Sequence, residues 1–155
     1  MPKKAVIVIS SHVARGTVGN RAAVFALEVL GHPVGAVPTV ILPWHLGHGP
    51  STKIMPDDDQ FASFMADLAN SPLLPEVGAV LTGFLGSVAQ VAPIAELVST
   101  LKDQNPDVQY ICDPVIGDGR GHHDHIGPDR GRLDDRLQIS RRADFHGLYA
   151  RMPAR

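Results

Sequence analysis

The sequence predicts an α/β fold, a doubly wound and mostly parallel sheet, on three observations. Short β-branched runs alternate with segments of helical period through the first 118 residues. The runs are continuously apolar, as in strands covered on both faces. Polar, Gly-bearing turns follow three of them, at the strand ends where such sheets bind ligands.

Taken in order, Lys3 and Lys4 lead into the first strand, residues 5–9. A polar, Gly-rich turn is expected over residues 10–20. Residues 21–30 then carry Ala22, Val24, Phe25, Ala26, Leu27, Val29 and Leu30. That is too many apolar residues for an exposed helix and suits one packed on a sheet, with Gly31 as its stop. Residues 35–42 read as the second strand. Asp57, Asp58 and Asp59 put negative charge on the first turn of a helix in which Phe61, Phe64, Met65 and Leu68 recur at helical spacing. Residues 79–82 make the third strand. Ser87 and Gln90 have capping-box spacing and open a helix that runs to about Lys102. Pro93 falls either just after its first turn or at its first helical position. Residues 108–112 make the fourth strand.

The turns after strands one, three and four, residues 10–19, 83–87 and 113–118, should line one edge of the sheet. The last is the most informative. Asp113 ends a buried strand, a Pro turn follows, and Asp118 supplies a second carboxylate, with Gly117 allowing close backbone approach. Two acids there suit a hard cation and the phosphates it neutralises. The alternative is an Asx turn that merely closes the strand.

Composition sets limits. The chain has 155 residues, 44% of them hydrophobic, with no apolar run long enough to span a membrane, and it is of one-domain size. The N-terminus goes straight into a strand with no small-residue cleavage site, which argues against a secretory signal. A formal charge of −2 gives no general attraction to nucleic acid or to an anionic membrane. The one cysteine, Cys112, excludes an internal disulfide and fits a reducing cytoplasm. Its place at a strand end reads as a core thiol rather than a nucleophile.

After Asp118 the character changes. Residues 119–155 hold 8 of the 14 basic residues, all Arg, and 4 of the 8 His. Apolar residues there are too sparse to continue a sheet, so an irregular Arg/His-rich tail is expected. Its composition is that of a GC-rich gene read out of frame, or of a truncation scar. His122, His123, Asp124 and His125 form a possible metal-binding tract, but adjacent ligands in a loop rarely close a tetrahedral site, and a solvated loop is the better reading. No Walker A, G-x-S-x-G or dinucleotide fingerprint occurs.

Four blocks together support a family resemblance: Ser11 to Ala23 (SHVARGTVGNRAA), Pro38 to Gly49 (PTVILPWHLGHG), Leu81 to Phe84 (LTGF) and Asp113 to Asp118 (DPVIGD). In order and spacing they resemble the N-terminal half of the pyridoxal kinases, members of the ribokinase-like superfamily. The resemblance covers residues 1–118, read as the N-terminal half of such a domain, and stops at the tail. It implies a cytoplasmic, homodimeric enzyme that phosphorylates the 5′-hydroxyl of pyridoxal, with pyridoxine and pyridoxamine as related substrates, using ATP, Mg²⁺ and usually a monovalent cation such as K⁺.

Residue by residue, Ser11 resembles the serine that hydrogen-bonds the pyridoxal ring, and Val18 lies near the ring's apolar surroundings. From its sequence position alone, Ser11 is either a backbone cap or a ligand contact. Val40, Leu42 and Leu46 fall where the family packs over the substrate; many relatives have an aromatic at the position of Leu42 and a Thr at that of Leu46. Pattern alone reads Val40 and Leu42 as core. Phe84 stands where the family usually has Tyr, keeping a stacking face without the hydroxyl. Asp113 and Asp118 resemble the acids near the nucleotide phosphates, Asp118 the one near the metal. The family's second half carries a Gly-Thr-Gly-Asp whose Asp is the base and whose amides hold the transferring phosphoryl. No such string occurs here, so no catalytic base is assigned, and a chain without phosphoryl-transfer activity is expected. The alternative is a non-catalytic vitamer-binding or dimerising fragment.

Overall fold

The structure, a computed structural model, describes residues 2–113. Asp118, the His122 to His125 tract and the expected tail, residues 119–155, lie outside the described residues. The order is β1 (Ala5–Val13), α1 (Asn20–Val29), β2 (Val34–Leu42), α2 (Asp58–Ala69), β3 (Val77–Thr82), α3 (Val91–Gln104) and β4 (Gln109–Cys112), with short 3-10 turns at Leu46–His48, Leu74–Glu76 and Val88–Gln90. The four strands form one sheet in the order β2-β1-β3-β4, every pair parallel. This is the expected α/β architecture. The order reverses between β1 and β3, and the crevice at their carboxyl ends is where sheets of this kind bind ligands.

The two faces of the sheet are covered by different helices. Ile7, Ile9, Val37, Val77 and Val80 pack with Phe61 and Met65 of α2 and with Ile94, Leu97, Val98 and Leu101 of α3 in the main core. Val6 and Val8, alternating with Ile7 and Ile9, face the other way, where Val8 shares a groove with Ala22 and Ala23 of α1. Helix α1 is only partly seated. Asn20 is its one buried residue, and Phe25, Val29 and Leu30 stand 71%, 69% and 60% exposed. The expectation that its apolar residues are covered by the sheet therefore holds for one side alone: a helix carrying apolar residues around its circumference buries only the stripe that meets a neighbour.

Local signals act as expected at most helix ends. Gly31, at φ 82°, closes α1 with Gly31 N–H to Glu28 C=O and His32 N–H to Leu27 C=O, a Schellman motif. Asp57 caps α2, its carboxylate accepting from Asp59 N–H at 3.0 Å. Ser87 and Gln90 form the capping box, followed by the 3-10 turn, so that Pro93 falls in the first turn of α3 rather than at its first position.

Strand β1 is longer than its apolar run. The turn expected from residue 10 begins after Val13, and Ser10 and Ser11 are buried within the strand. The pairing with β2 shifts between Ser10, opposite Pro38, and His12, opposite Ile41. One extra residue on β2 is thus accommodated at Thr39 and Val40, a bulge of the kind that re-aims side chains beside a site. Cys112 is a free, half-buried thiol on β4 rather than a fully buried one.

Candidate functional site

The bulge, the segments that follow β1, β2 and β3, and Asp113 build a cleft at the carboxyl ends of those strands. Its floor is a small hydrophobic cluster of its own, Val13, Val40 and Leu42, with Leu46 and Phe84 packed against it. Val40 and Leu42 are core residues in this sense, and cleft residues at once.

Phe84 is held from both sides. Its N–H donates to Ser10 Oγ at 3.2 Å, and its carbonyl accepts from Thr39 Oγ1 at 2.7 Å. Gln90 fixes the bulge, donating from Nε2 to the Thr39 carbonyl at 2.9 Å and accepting Gly86 N–H at Oε1 at 2.8 Å. Two glycines permit these approaches. A Cβ on Gly83 would lie 2.5 Å from Ser10 Oγ, and one on Gly19, at φ 56°, would lie 2.3 Å from the Ser11 carbonyl oxygen. The aromatic ring therefore stands on a backbone that hydrogen bonds and close packing hold in place.

The resulting cleft, about 150 Å³, brings together Ser11, Val18, Leu42, Leu46, Phe84 and Asp113. Val40 lines an adjoining cavity that shares Leu42, Leu46 and Phe84. Ser11 is buried within β1 rather than placed in a turn. Asp113 is exposed at the end of β4, its N–H bonded to the Thr82 carbonyl at 2.8 Å. Asp118, expected beside it, lies outside the described residues. Among the described residues no group of three or more His, Cys, Asp or Glu is placed to hold a metal, so Asp113 offers a single carboxylate.

Ser10, Gly83 and His45 also line the cleft and were not singled out from the sequence. His45 caps the turn that follows it, its Nδ1 accepting Gly47 N–H at 3.0 Å. In the neutral ring that bond assigns the proton to Nε2, making His45 a donor beside the cleft. Its signal lay inside the Pro38 to Gly49 block, where His45 ends the apolar run from Val40 to Trp44. Behind the cleft, Tyr110 Oη and Thr82 Oγ1 are 3.0 Å apart. Burial pushes the Tyr110 hydroxyl well above its ordinary value; the bond to Thr82 opposes the shift and the nearby Cys112 adds to it.

Among the described residues no helix is long and apolar enough to cross a membrane. No family model matches the chain. Individual relatives do. Pyridoxal kinase PdxY of Granulibacter bethesdensis is 43% identical over 117 residues, 75% of this chain and 41% of that protein. Pyridoxal kinase of Bos taurus is 39% identical over 115 residues, 74% of this chain and 36% of that one. The solved pyridoxal kinase of Leishmania donovani in complex with ADP and pyridoxamine superposes with a TM-score of 0.69 at 32% identity, over 76% of this chain and 41% of its own. The chain thus spans about two fifths of the length of the curated relatives it matches. Over that span it is homologous to the pyridoxal kinases and shares their ribokinase-like α/β fold.

Proposed function

We propose that the chain carries the vitamer-binding half of a pyridoxal kinase, which moves the γ-phosphoryl group of ATP to the 5′-hydroxyl of pyridoxal, pyridoxine or pyridoxamine. The reading rests on one cleft in which Ser11, Val18, Leu42, Leu46 and Phe84 meet, with Asp113 at its polar end. Relatives of this fold solved with ADP carry pyridoxamine in one case and pyridoxine in another. Phe84 stacks on the pyridine ring, Val18, Val40, Leu42 and Leu46 enclose its apolar parts, and Ser11 bonds a ring heteroatom. Asp113 faces the nucleotide, and the resemblance gives Asp118, outside the described residues, the role of the acid near the metal. Mg²⁺ usually takes only one or two carboxylates besides phosphates and water, which suits the single carboxylate of Asp113 with Asp118 close in sequence. Use of K⁺, a homodimer and a cytoplasmic location belong to the same proposal.

A second reading has its own support: the 155 residues contain no Gly-Thr-Gly-Asp. Phosphoryl transfer depends on positioning and on stabilising developing charge, so a chain without that base and anion hole binds vitamer and does not turn it over. Two measurements on the 155-residue chain decide between them. Calorimetry with pyridoxal should give a dissociation constant on the order of 1 mM, since half the enclosure is present; absence of binding ends the vitamer proposal. A coupled assay with MgATP should give no turnover; a rate of about 0.1 s⁻¹ or more would remove the non-catalytic reading.

A further inference from the structure

Phe84 lies just past the ladder of β3, where Gly83 N–H still donates to the Ile9 carbonyl of β1 at 2.9 Å. Its own N–H and carbonyl are taken by two side chains instead, Ser10 and Thr39. Thr39 belongs to the bulge of β2 and is wholly buried. Its carbonyl accepts from Gln90 Nε2, and Gln90, only 1% exposed, takes Gly86 N–H at the other end of the same amide. The two segments approach closely there: a Cβ on Gly86 would lie 2.8 Å from the Thr39 carbonyl oxygen. Thr39 and Gln90 line neither the cleft nor the cavity that adjoins it.

A bulge takes a backbone carbonyl out of the ladder, and any buried donor could satisfy it. Gln90 does more than that. A carboxamide is planar, with its donor and acceptor fixed relative to each other, so one side chain that grips both Thr39 and Gly86 sets the spacing between the bulge and the segment that carries Phe84. Gln90 directly precedes α3, whose Val91 and Ile94 are buried in the main core, so that spacing is referred to the rigid part of the fold. Thr39 Oγ1 passes it on to the Phe84 carbonyl. We propose that Thr39 and Gln90 are positioning residues for the vitamer ring: without touching it, they hold the Phe84 backbone so that the aromatic side chain presents its face to the cleft. A stacking face that is already in place need not be ordered when the ligand arrives, and affinity gains by that saving. The inference rests on the vitamer reading above and adds two residues that act on affinity through Phe84.

The test is a double-mutant cycle read by calorimetric titration of the 155-residue chain with pyridoxine, with urea unfolding to measure the folded fraction of each variant. Thr39→Val removes the donor to Phe84 and should weaken binding by the folded molecules about fivefold. Thr39→Ser keeps the donor and should recover the affinity to within about twofold. In Phe84→Ala the residue acted on is gone, so adding Thr39→Val should change the affinity by less than about twofold. Gln90→Glu gives an independent reading. Its neutral carboxyl can make both bonds and its carboxylate only the one to Gly86, so its affinity relative to the wild type should fall as pH rises from about 5 to about 8. A merely structural role would lower stability and leave the affinity of folded molecules unchanged. Unchanged affinity in Thr39→Val, an equal loss with and without Phe84, or a flat pH profile for Gln90→Glu overturns the positioning role and leaves the vitamer reading standing. No binding of pyridoxine to the wild-type chain overturns both.

Discussion

The two hydrophobic clusters of this chain are built from the same residue types and face different surroundings. In the main core Ile9, Val80, Ile94 and Leu97 are no more than 1% exposed, enclosed by the sheet on one side and by α2 and α3 on the other. The smaller cluster of Val13, Val40 and Leu42 is closed below by the strands and roofed only by the half-buried Leu46 and Phe84, next to the cleft. An apolar side chain in the first meets protein on every side. One in the second leaves a surface that a ligand can complete, so truncations should separate: folding suffers in the first, binding in the second.

The largest effect should come from the main core. Leu97→Ala removes a wholly buried side chain that neighbours cannot replace, and should cost about 3 kcal/mol in urea unfolding, within the usual range for such cavities. Vitamer affinity of the molecules that remain folded should be unchanged. A cost below about 1 kcal/mol would mean that the α3 side collapses around the void and is not a rigid core.

Phe84→Ala should invert that pattern. The ring is half-buried, and its backbone is held by Ser10 and Thr39 whatever the side chain, so stability should fall by no more than about 1 kcal/mol. Pyridoxal binding should weaken about tenfold through loss of the stacking face. Phe84→Tyr restores the face and should restore the affinity. If Phe84→Ala unfolds the chain as readily as Leu97→Ala, the two clusters are one energetic unit.

Helix α1 supplies the contrasting case, apolar residues that neither cluster covers. Phe25, Val29 and Leu30 form an exposed surface on a helix whose other side rests on β1 and β2. If the proposed homodimer uses this face, sedimentation should show concentration-dependent association that Phe25→Asp abolishes, with stability changed by about 0.5 kcal/mol or less. Association that survives Phe25→Asp would move the contact elsewhere.

These contrasts also explain what the sequence could reveal. Strand–helix alternation was legible because hydrophobic period reports burial, and the main core imposes burial along whole elements. β1 was read four residues short, at Ile9 instead of Val13, because Ser10 and Ser11 are buried at the cleft and Ser10 is satisfied by a hydrogen bond to Phe84, which no apolar pattern records. For α1 the composition gave the apolar residues and not what covers them. The cleft was legible through motif resemblance at Ser11, Val18, Leu42, Leu46 and Phe84. His45 was missed because its capping bond to Gly47 and its place at the cleft depend on how the chain turns after β2.

The smallest expected effect concerns the sheet's polar side-chain pair, and its sign follows from linkage. Burial raises the Tyr110 hydroxyl well above the ordinary value that it regains on unfolding, about 10. Below that value both states hold the proton and its contribution to stability is constant. As pH rises past about 10 the unfolded chain releases the proton while the folded chain keeps it, so stability falls, at up to about 1.4 kcal/mol per pH unit for one group. Tyr110→Phe removes both the bond to Thr82 and the ionisation. The variant should therefore be about 1 kcal/mol less stable than the wild type at pH 8, and the gap should close by about 1 kcal/mol between pH 9 and pH 11. Urea unfolding of the two proteins at those pH values measures it. A gap that stays constant to pH 11 would mean that Tyr110 ionises as readily in the folded chain as in the unfolded one, and that the end of β4 is open to water rather than packed against the main core.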